Sequence, residues 1–281
     1  FGPSMNNRDL KRIIAWNRQA DLLGMDTISL GSTIACAMEL HEKGLLPDLD
    51  VNFDDHEGVS KLIEDVAYRR GIGAALAEGS ARLAESCGAP GLSMGSKGLE
   101  FAASGPRGAV GHGLGYAVSN RGGCHINGGY LVYFEALGAV NMDPLTPKAK
   151  PSWAIFQQNM FEVVSAVGNC IFTTYAVVPD APEWAYNPPG PSARIVGKAL
   201  VGARAAMNQF GRLRPGMLPI HAPGIPQSNA VEVVTGMRCR LGDLMVVGER
   251  GFTLERMINL REGLLGETDT LPPRLTLDLP M

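Results

Sequence analysis

Cysteine is scarce and scattered in this sequence. Cys36, Cys87, Cys124, Cys170 and Cys239 stand far apart, with no CxxC pair and an odd total of five. That pattern argues against a disulfide framework and against a zinc site built from the cysteines alone, and it fits a reducing, cytoplasmic setting. Long apolar runs are missing too: none approaches the roughly 20 residues that cross a bilayer, so the chain reads as soluble, with no membrane partner. Lys and Arg are dispersed and the net charge is −3, so nothing draws the chain toward nucleic acid. A small molecule or a protein is the expected partner. The opening FGPSMNNRDL has neither an initiator Met nor the profile of a signal peptide and reads as a fragment or a processed subunit. No P-loop, HExxH, Ser-His-Asp order or solenoid period occurs.

What is present is helical periodicity. With 281 residues, 45% of them hydrophobic, there is enough apolar mass for one large domain or two ordinary ones. Apolar spacing and glycine stops predict helices near Arg8 to Leu23, Ser32 to Lys43, Ser60 to Arg70, Ala74 to Ser86, Val110 to Ser119, Pro151 to Val167, Ala193 to Phe210 and Leu241 to Arg261. A strand is plausible only at GGYLVYF. The expected fold class is therefore all-α and multihelical, with a first helical region over 1–130 and a second over 131–281. Proline crowds Val178 to Pro191 and Pro215 to Pro226, which are expected as surface loops or an insertion. Between Gly88 and Gly129 glycine recurs so often that backbone must pass close to another helix or a ligand.

Three turns could carry chemistry. In DLLGMD a helix closes at Gly24, so Asp21 and Asp26 flank the turn. Two carboxylates there suit a heterocycle presenting N–H and NH2 donors, such as the pyrimidine edge of a pterin. On the local sequence alone the commoner reading makes Gly24 an ordinary helix stop, Asp21 a solvated helix residue and Asp26 the cap of the next helix. SAVGNC repeats the pattern, with Ser165 in the place of Asp21 and Cys170 in that of Asp26. A thiolate just past a helix can ligate iron, whereas a lone cysteine is commonly a small buried apolar residue. YAVSNRGGCHING sets Arg121, Cys124 and His125 in a glycine-rich turn, and His is the side chain suited to exchanging protons near neutral pH. GHGLG lacks the context of a nucleotide loop and reads as close helix packing.

In this order the turns resemble the C-terminal half of the tungsten-containing aldehyde ferredoxin oxidoreductase family. The resemblance runs from DLLGMDTISLGSTIACAMELHEKGLL through VAYRRGIGAALAEG, GLGYAVSNRGGCH and SAVGNCIF to VVGERGFTLERMINLREG. It implies the family's helical C-terminal fold and oxidation of an aldehyde to a carboxylic acid on a tungsten (or molybdenum) bis-pterin, with electrons leaving through a [4Fe–4S] cluster to ferredoxin or another carrier. It implies that Asp21, Gly24, Met25 and Asp26 grip one pterin and that Ser165, Gly168, Asn169 and Cys170 grip the other, with Cys170 also the last cluster ligand. His125 matches the family histidine near the metal, a proton relay or an orienter of substrate. Three departures accompany the match. Ser165 replaces the usual Asp, the three closely spaced cysteines of the cluster are absent, and the β-rich N-terminal portion that cradles the cofactor phosphates is missing. The isolated chain is therefore expected to assemble neither cluster nor tungsten site, and the alternative is a non-catalytic helical relative that binds a protein or a pterin.

Overall fold

Asp9 opens the first helix: its carboxylate accepts from the amides of Lys11 (2.9 Å) and Arg12 (3.4 Å), so α1 runs over Leu10–Leu22. Asp26 does the same for α2 (Thr27–Glu42), accepting from Ser29 N at 2.7 Å, so this helix starts five residues ahead of the expected Ser32. α3 spans Val59–Ala67. The single helix expected over Ala74 to Ser86 is two, α4 (Gly73–Leu76) and α5 (Ser80–Ser86). The break falls at Gly79, whose φ of +85° no helix accommodates, and the amide and hydroxyl of Ser80 are held there by the buried Glu100 carboxylate at 2.8 and 2.9 Å.

The computed structural model describes residues 1–136, 142–171, 226–239, 241–264 and 266–276, with isolated positions 195, 198, 199 and 202. Both proline-rich stretches lie almost wholly outside the described residues, as does most of the helix expected over Ala193 to Phe210. The remaining helices are α6 (Val110–Val118), α7 (Val132–Glu135), α8 (Lys150–Ala166), α9 (Pro226–Thr235), α10 (Leu241–Arg261) and α11 (Pro273–Thr276). Among the described residues the fold is all-α apart from one two-stranded hairpin, β1 (Gly95–Ser96) with β2 (Leu99–Glu100). Its turn is Lys97–Gly98, both at positive φ, the geometry that matches the twist of paired strands. The strand considered at GGYLVYF is instead a turn followed by α7. Glu135 there is drawn to the amides at the start of α6, which a strand would not allow. None of the described helices is long and apolar enough to cross a membrane.

The chain divides into two compact units: Phe1–Gly105 with Arg121–Cys124 and Thr268–Met281, and Pro106–Asn120 with His125–Glu267. The first is organised around α2, which buries Leu30, Ile34, Ala37, Met38 and Leu40 against Trp16, Leu62, Ile63, Leu76 and Leu83. Each of the Leu, Ile and Met side chains contributes about 1.5–3 kcal/mol on burial. α1 contributes only Trp16 and Ala20 to this core; Leu10, Ile14 and Leu22, part of its expected apolar stripe, are exposed. Arg274 of α11 reaches Glu39 of α2 through two hydrogen bonds of 2.8 and 3.0 Å, and Lys97 pairs with Asp269 at 2.8 Å, fixing the C-terminal segment to this unit.

The second unit packs α10 along α8. A Cβ at Gly248 would lie 2.0 Å from Asn159 O, so only glycine lets these backbones approach so closely. Phe134 and Trp153, their ring centroids 5.7 Å apart and tilted at 55°, pack with Leu131, Met142 and Ala154. Glu135 and Lys150 form an ion pair with both side chains at most 1% exposed.

Candidate functional site

The first turn closes α1 with two hydrogen bonds: Met25 N donates to Ala20 O (2.9 Å) and Gly24 N to Asp21 O (3.0 Å). This is the Schellman closure, and it requires the left-handed φ of +72° that Gly24 adopts. Asp21, Gly24 and Asp26 are exposed and Met25 is half-buried. Among the described residues the Asp21 carboxylate has no hydrogen-bond partner, while Asp26 spends Oδ1 on the cap of α2. The cap and the acceptor set therefore coexist: one oxygen holds the helix and the other faces outward.

The second turn has the same backbone. Asn169 N donates to Val164 O and Gly168 N to Ser165 O, each at 3.0 Å, and Gly168 has φ +77°. Ser165, Gly168, Asn169 and Cys170 are all exposed, so Cys170 is not a buried apolar residue. A Cβ added at Gly24 or at Gly168 would meet nothing within 4 Å, so both turns present open faces. The first turn belongs to the first unit and the second to the second.

The third turn is built by close approach and by amides. At its start, in the first unit, Gly123 N donates to Ser96 O at 3.1 Å, and a Cβ on Gly123 would fall 2.3 Å from Leu99 O. In the second unit, Asn127 Oδ1 accepts from Ser119 Oγ (2.9 Å) and Asn120 N (2.8 Å), and its Nδ2 donates to Glu255 Oε2 at 2.9 Å. Asn120 Nδ2 donates to Phe252 O at 2.8 Å, and Asn259 Nδ2 to Asn120 O at 2.7 Å. Glu255 and Asn259 stand on α10, so ERMINLREG clamps the ends of the stretch that carries His125. Composition and spacing single out neither these four residues nor His112. The one signal in the sequence is that the two stretches which make the resemblance specific are the two that meet here.

His125 itself is half-buried, its ring 5.3 Å from Tyr130 at 57°. Tyr130 in turn lies 6.1 Å from His112 at 76°, and His112 lies 4.3 Å from Tyr116. Burial pushes the His112 pKa down to about 3, with the neighbouring His125 adding to the shift.

Burial, with Glu39, Cys87 and Glu100 nearby, raises the Cys36 thiol to about 12, and burial raises Cys239 as well, so neither is a ready thiolate. Among the described residues no three of His, Cys, Asp and Glu gather as a metal site.

Sequence comparison places these features in context. The family model described as "Aldehyde ferredoxin oxidoreductase, domains 2 & 3" matches residues 1–281. The chain is 36% identical over 290 residues to the tungsten-containing aldehyde ferredoxin oxidoreductase of Pyrococcus furiosus and 34% over 289 residues to that of Thermococcus kodakarensis. In each case the whole of this chain aligns with 40% of the relative. A more distant relative is the "Aliphatic sulfonate oxidoreductase, WOR-like subunit" of P. furiosus, 29% identical over 137 residues, covering 44% of this chain and 22% of that protein. The chain thus spans about two fifths of the length of the tungsten-containing relatives it matches, and it belongs to the aldehyde ferredoxin oxidoreductase family.

Proposed function

We propose that this chain is the helical C-terminal part of an oxidoreductase that converts an aldehyde and water to a carboxylic acid, releasing two electrons and two protons. In this reading a β-rich N-terminal portion completes the enzyme, and ferredoxin or another carrier accepts the electrons. The observation that carries it is the pair of identical helix closures, one with exposed carboxylates and one with an exposed thiol, on the chain positions that the resemblance assigns to cofactor binding.

The residues present fit a pterin. Asp21 and the outward oxygen of Asp26 accept from the N–H and NH2 groups of a pyrimidine edge, and the open face at Gly24 admits a flat ring. The turn at Gly168 offers the same face, with the Ser165 hydroxyl supplying one oxygen where Asp21 supplies two, and with Asn169 and Cys170 beside it. A tungsten or molybdenum pterin supplies two-electron, oxygen-transferring redox chemistry when bound. His125 takes up or releases a proton at its imidazole as water adds to the carbonyl carbon, and the Asn127–Glu255 clamp holds the segment that carries it. A [4Fe–4S] cluster needs four ligands, and among the described residues no three of His, Cys, Asp and Glu gather to supply them, so this reading leaves the remaining ligands to the N-terminal portion.

Iron and tungsten analysis of the purified chain, alone and assembled with an N-terminal portion from a relative, tests the proposal. Neither metal is expected in the lone chain, and both are expected in the assembly. Stoichiometric metal in the lone chain overturns the division of ligands. A metal-free assembly overturns the enzyme reading in favour of a non-catalytic protein- or pterin-binding module, the role that the serine at 165 favours.

A further inference from the structure

The Tyr130 backbone is left-handed, with φ +47°, a conformation that an aromatic residue adopts only when its surroundings impose it. Two contacts impose it. Tyr130 N donates to His125 O at 2.9 Å, closing a loop on the histidine. The preceding Gly129 is pressed so closely onto α8 that a Cβ there would lie 3.2 Å from Ala154 O and 3.3 Å from Gln158 N. The result turns the Tyr130 ring between two imidazoles, that of the half-buried His125 and that of the fully buried His112.

His112 is placed by packing. It is 1% exposed, its Nε2 has no hydrogen-bond partner among the described residues, and its ring lies 4.3 Å from that of the fully buried Tyr116. Leaving that nitrogen unpaired is unfavourable, and the unpaired atom shows that no hydrogen bond through Nε2 dictates where the ring sits. We propose that Tyr130 is a positioning residue for His125 and that the buried His112 is the wall fixing the Tyr130 ring, so that four aromatic rings in series hold one exchangeable imidazole in a single orientation. The proposal rests on the reading of His125 as the proton-handling group.

Charge supports the arrangement. Depressed to about 3, His112 stays neutral near neutral pH, so His125 gains a proton without a second cation behind it. Among the other charged groups, Glu255 on α10 accepts from Asn120 and Asn127. Glu135 on α7 and Lys150 on α8 neutralise each other, and Arg107 on the turn before α6 points to solvent.

Histidine-selective carbon-13 NMR of the full chain tests this, with circular dichroism verifying the fold. Tyr130→Asn, which tolerates the left-handed backbone, is expected to move the His125 ring resonance toward that of an exposed imidazole. His112→Ala is expected to do the same, and His112→Phe, which restores a ring in the wall, to leave it near the parent position. In the assembled enzyme Tyr130→Asn is expected to lower turnover roughly two- to tenfold, the size of one aromatic pair, and to shift the His125 limb of the pH profile. An unmoved His125 resonance in folded Tyr130→Asn or His112→Ala overturns the proposal, as does a His112→Phe spectrum displaced as far as that of His112→Ala. Full turnover in His125→Ala would refute the proton role while leaving the NMR result standing, so the two failures are distinguishable.

Discussion

Lys150→Met removes an ammonium from the interior of the second unit while replacing little volume, which isolates the electrostatic cost. In the parent, Lys150 Nζ donates to Glu135 Oε1 and, at 2.7 Å, to Asp143 O, and both charged side chains are at most 1% exposed. Glu135 also accepts from Gly111 N (2.8 Å) and His112 N (2.9 Å), two of the amides that the start of α6 leaves without intrahelical partners. Removing one member of such a pair costs about 3–5 kcal/mol, because the other charge stays buried without compensation. The two amides still solvate the carboxylate, which sets the expectation near the lower end, about 3 kcal/mol. For a unit of this size each kcal/mol lowers Tm by about 2–4 °C, so the thermal midpoint is expected to drop by about 6–12 °C. Urea and thermal unfolding followed by circular dichroism read this directly. Combining Glu135→Gln with Lys150→Met removes both charges, and the double variant is expected to be less destabilised than the sum of the singles by about 2 kcal/mol. A single variant within about 0.5 kcal/mol of the parent, or a strictly additive double, would refute the reasoning.

Glu255→Gln replaces an acceptor shared by two asparagine amides with a group that presents an NH2 of its own. It is expected to cost about 1–3 kcal/mol and to speed hydrogen exchange at the Gly129 and Tyr130 amides; unchanged protection there would show that the clamp does not hold the turn. His112 predicts a pH dependence. Its folded pKa, about 3, lies below its unfolded value near 6.5, so below 6.5 the unfolded chain binds a proton that the folded chain refuses. The contribution is fully present above about 6.5 and is lost at up to about 1.4 kcal/mol per pH unit as pH falls toward 3. A pH series of urea midpoints on parent and His112→Phe is expected to show a shallower acid slope in the variant, and parallel slopes would refute the assignment.

The apolar period alone made α6, α8 and α10 legible, their ends falling within a residue of expectation. The errors have local causes. Ser32, a small polar residue, reads as the start of α2, but Asp26 caps the helix and starts it five residues earlier. Ala74 to Ser86 read as one helix because alanine favours continuity, yet Glu100, distant in sequence, captures the amide of Ser80 and opens the chain at Gly79. GGYLVYF has strand composition, but Glu135 directly after it is claimed by α6. In each case a side chain remote in sequence or outside the counted window decided, and periodicity carries no record of it.

The turns at Gly24 and Gly168 stand out from the other helix stops for a different reason. Helices closed by the same pair of hydrogen bonds occur at Gly24, Gly44, Gly88, Gly168 and Gly263, so the glycine itself does not distinguish a binding turn from a plain stop. What differs is the residue two positions later. After Gly44 it is Leu46, which turns inward and is 9% exposed, and after Gly88 it is Pro90, which offers no polar side chain. After Gly24 and Gly168 it is Asp26 and Cys170, both exposed, each a group able to accept a hydrogen bond or ligate a metal. The closure fixes where that side chain emerges, and its chemistry decides whether the emerging group does anything. Ser165 then follows from the same logic: its carbonyl closes the second turn as that of Asp21 closes the first, so the substitution leaves the backbone intact and subtracts one acceptor oxygen. On the pterin-binding role proposed above, any loss of affinity at the second turn comes from the side chain, and Ser165→Asp, which restores the carboxylate on an unchanged closure, is expected to recover it in a pterin-binding titration.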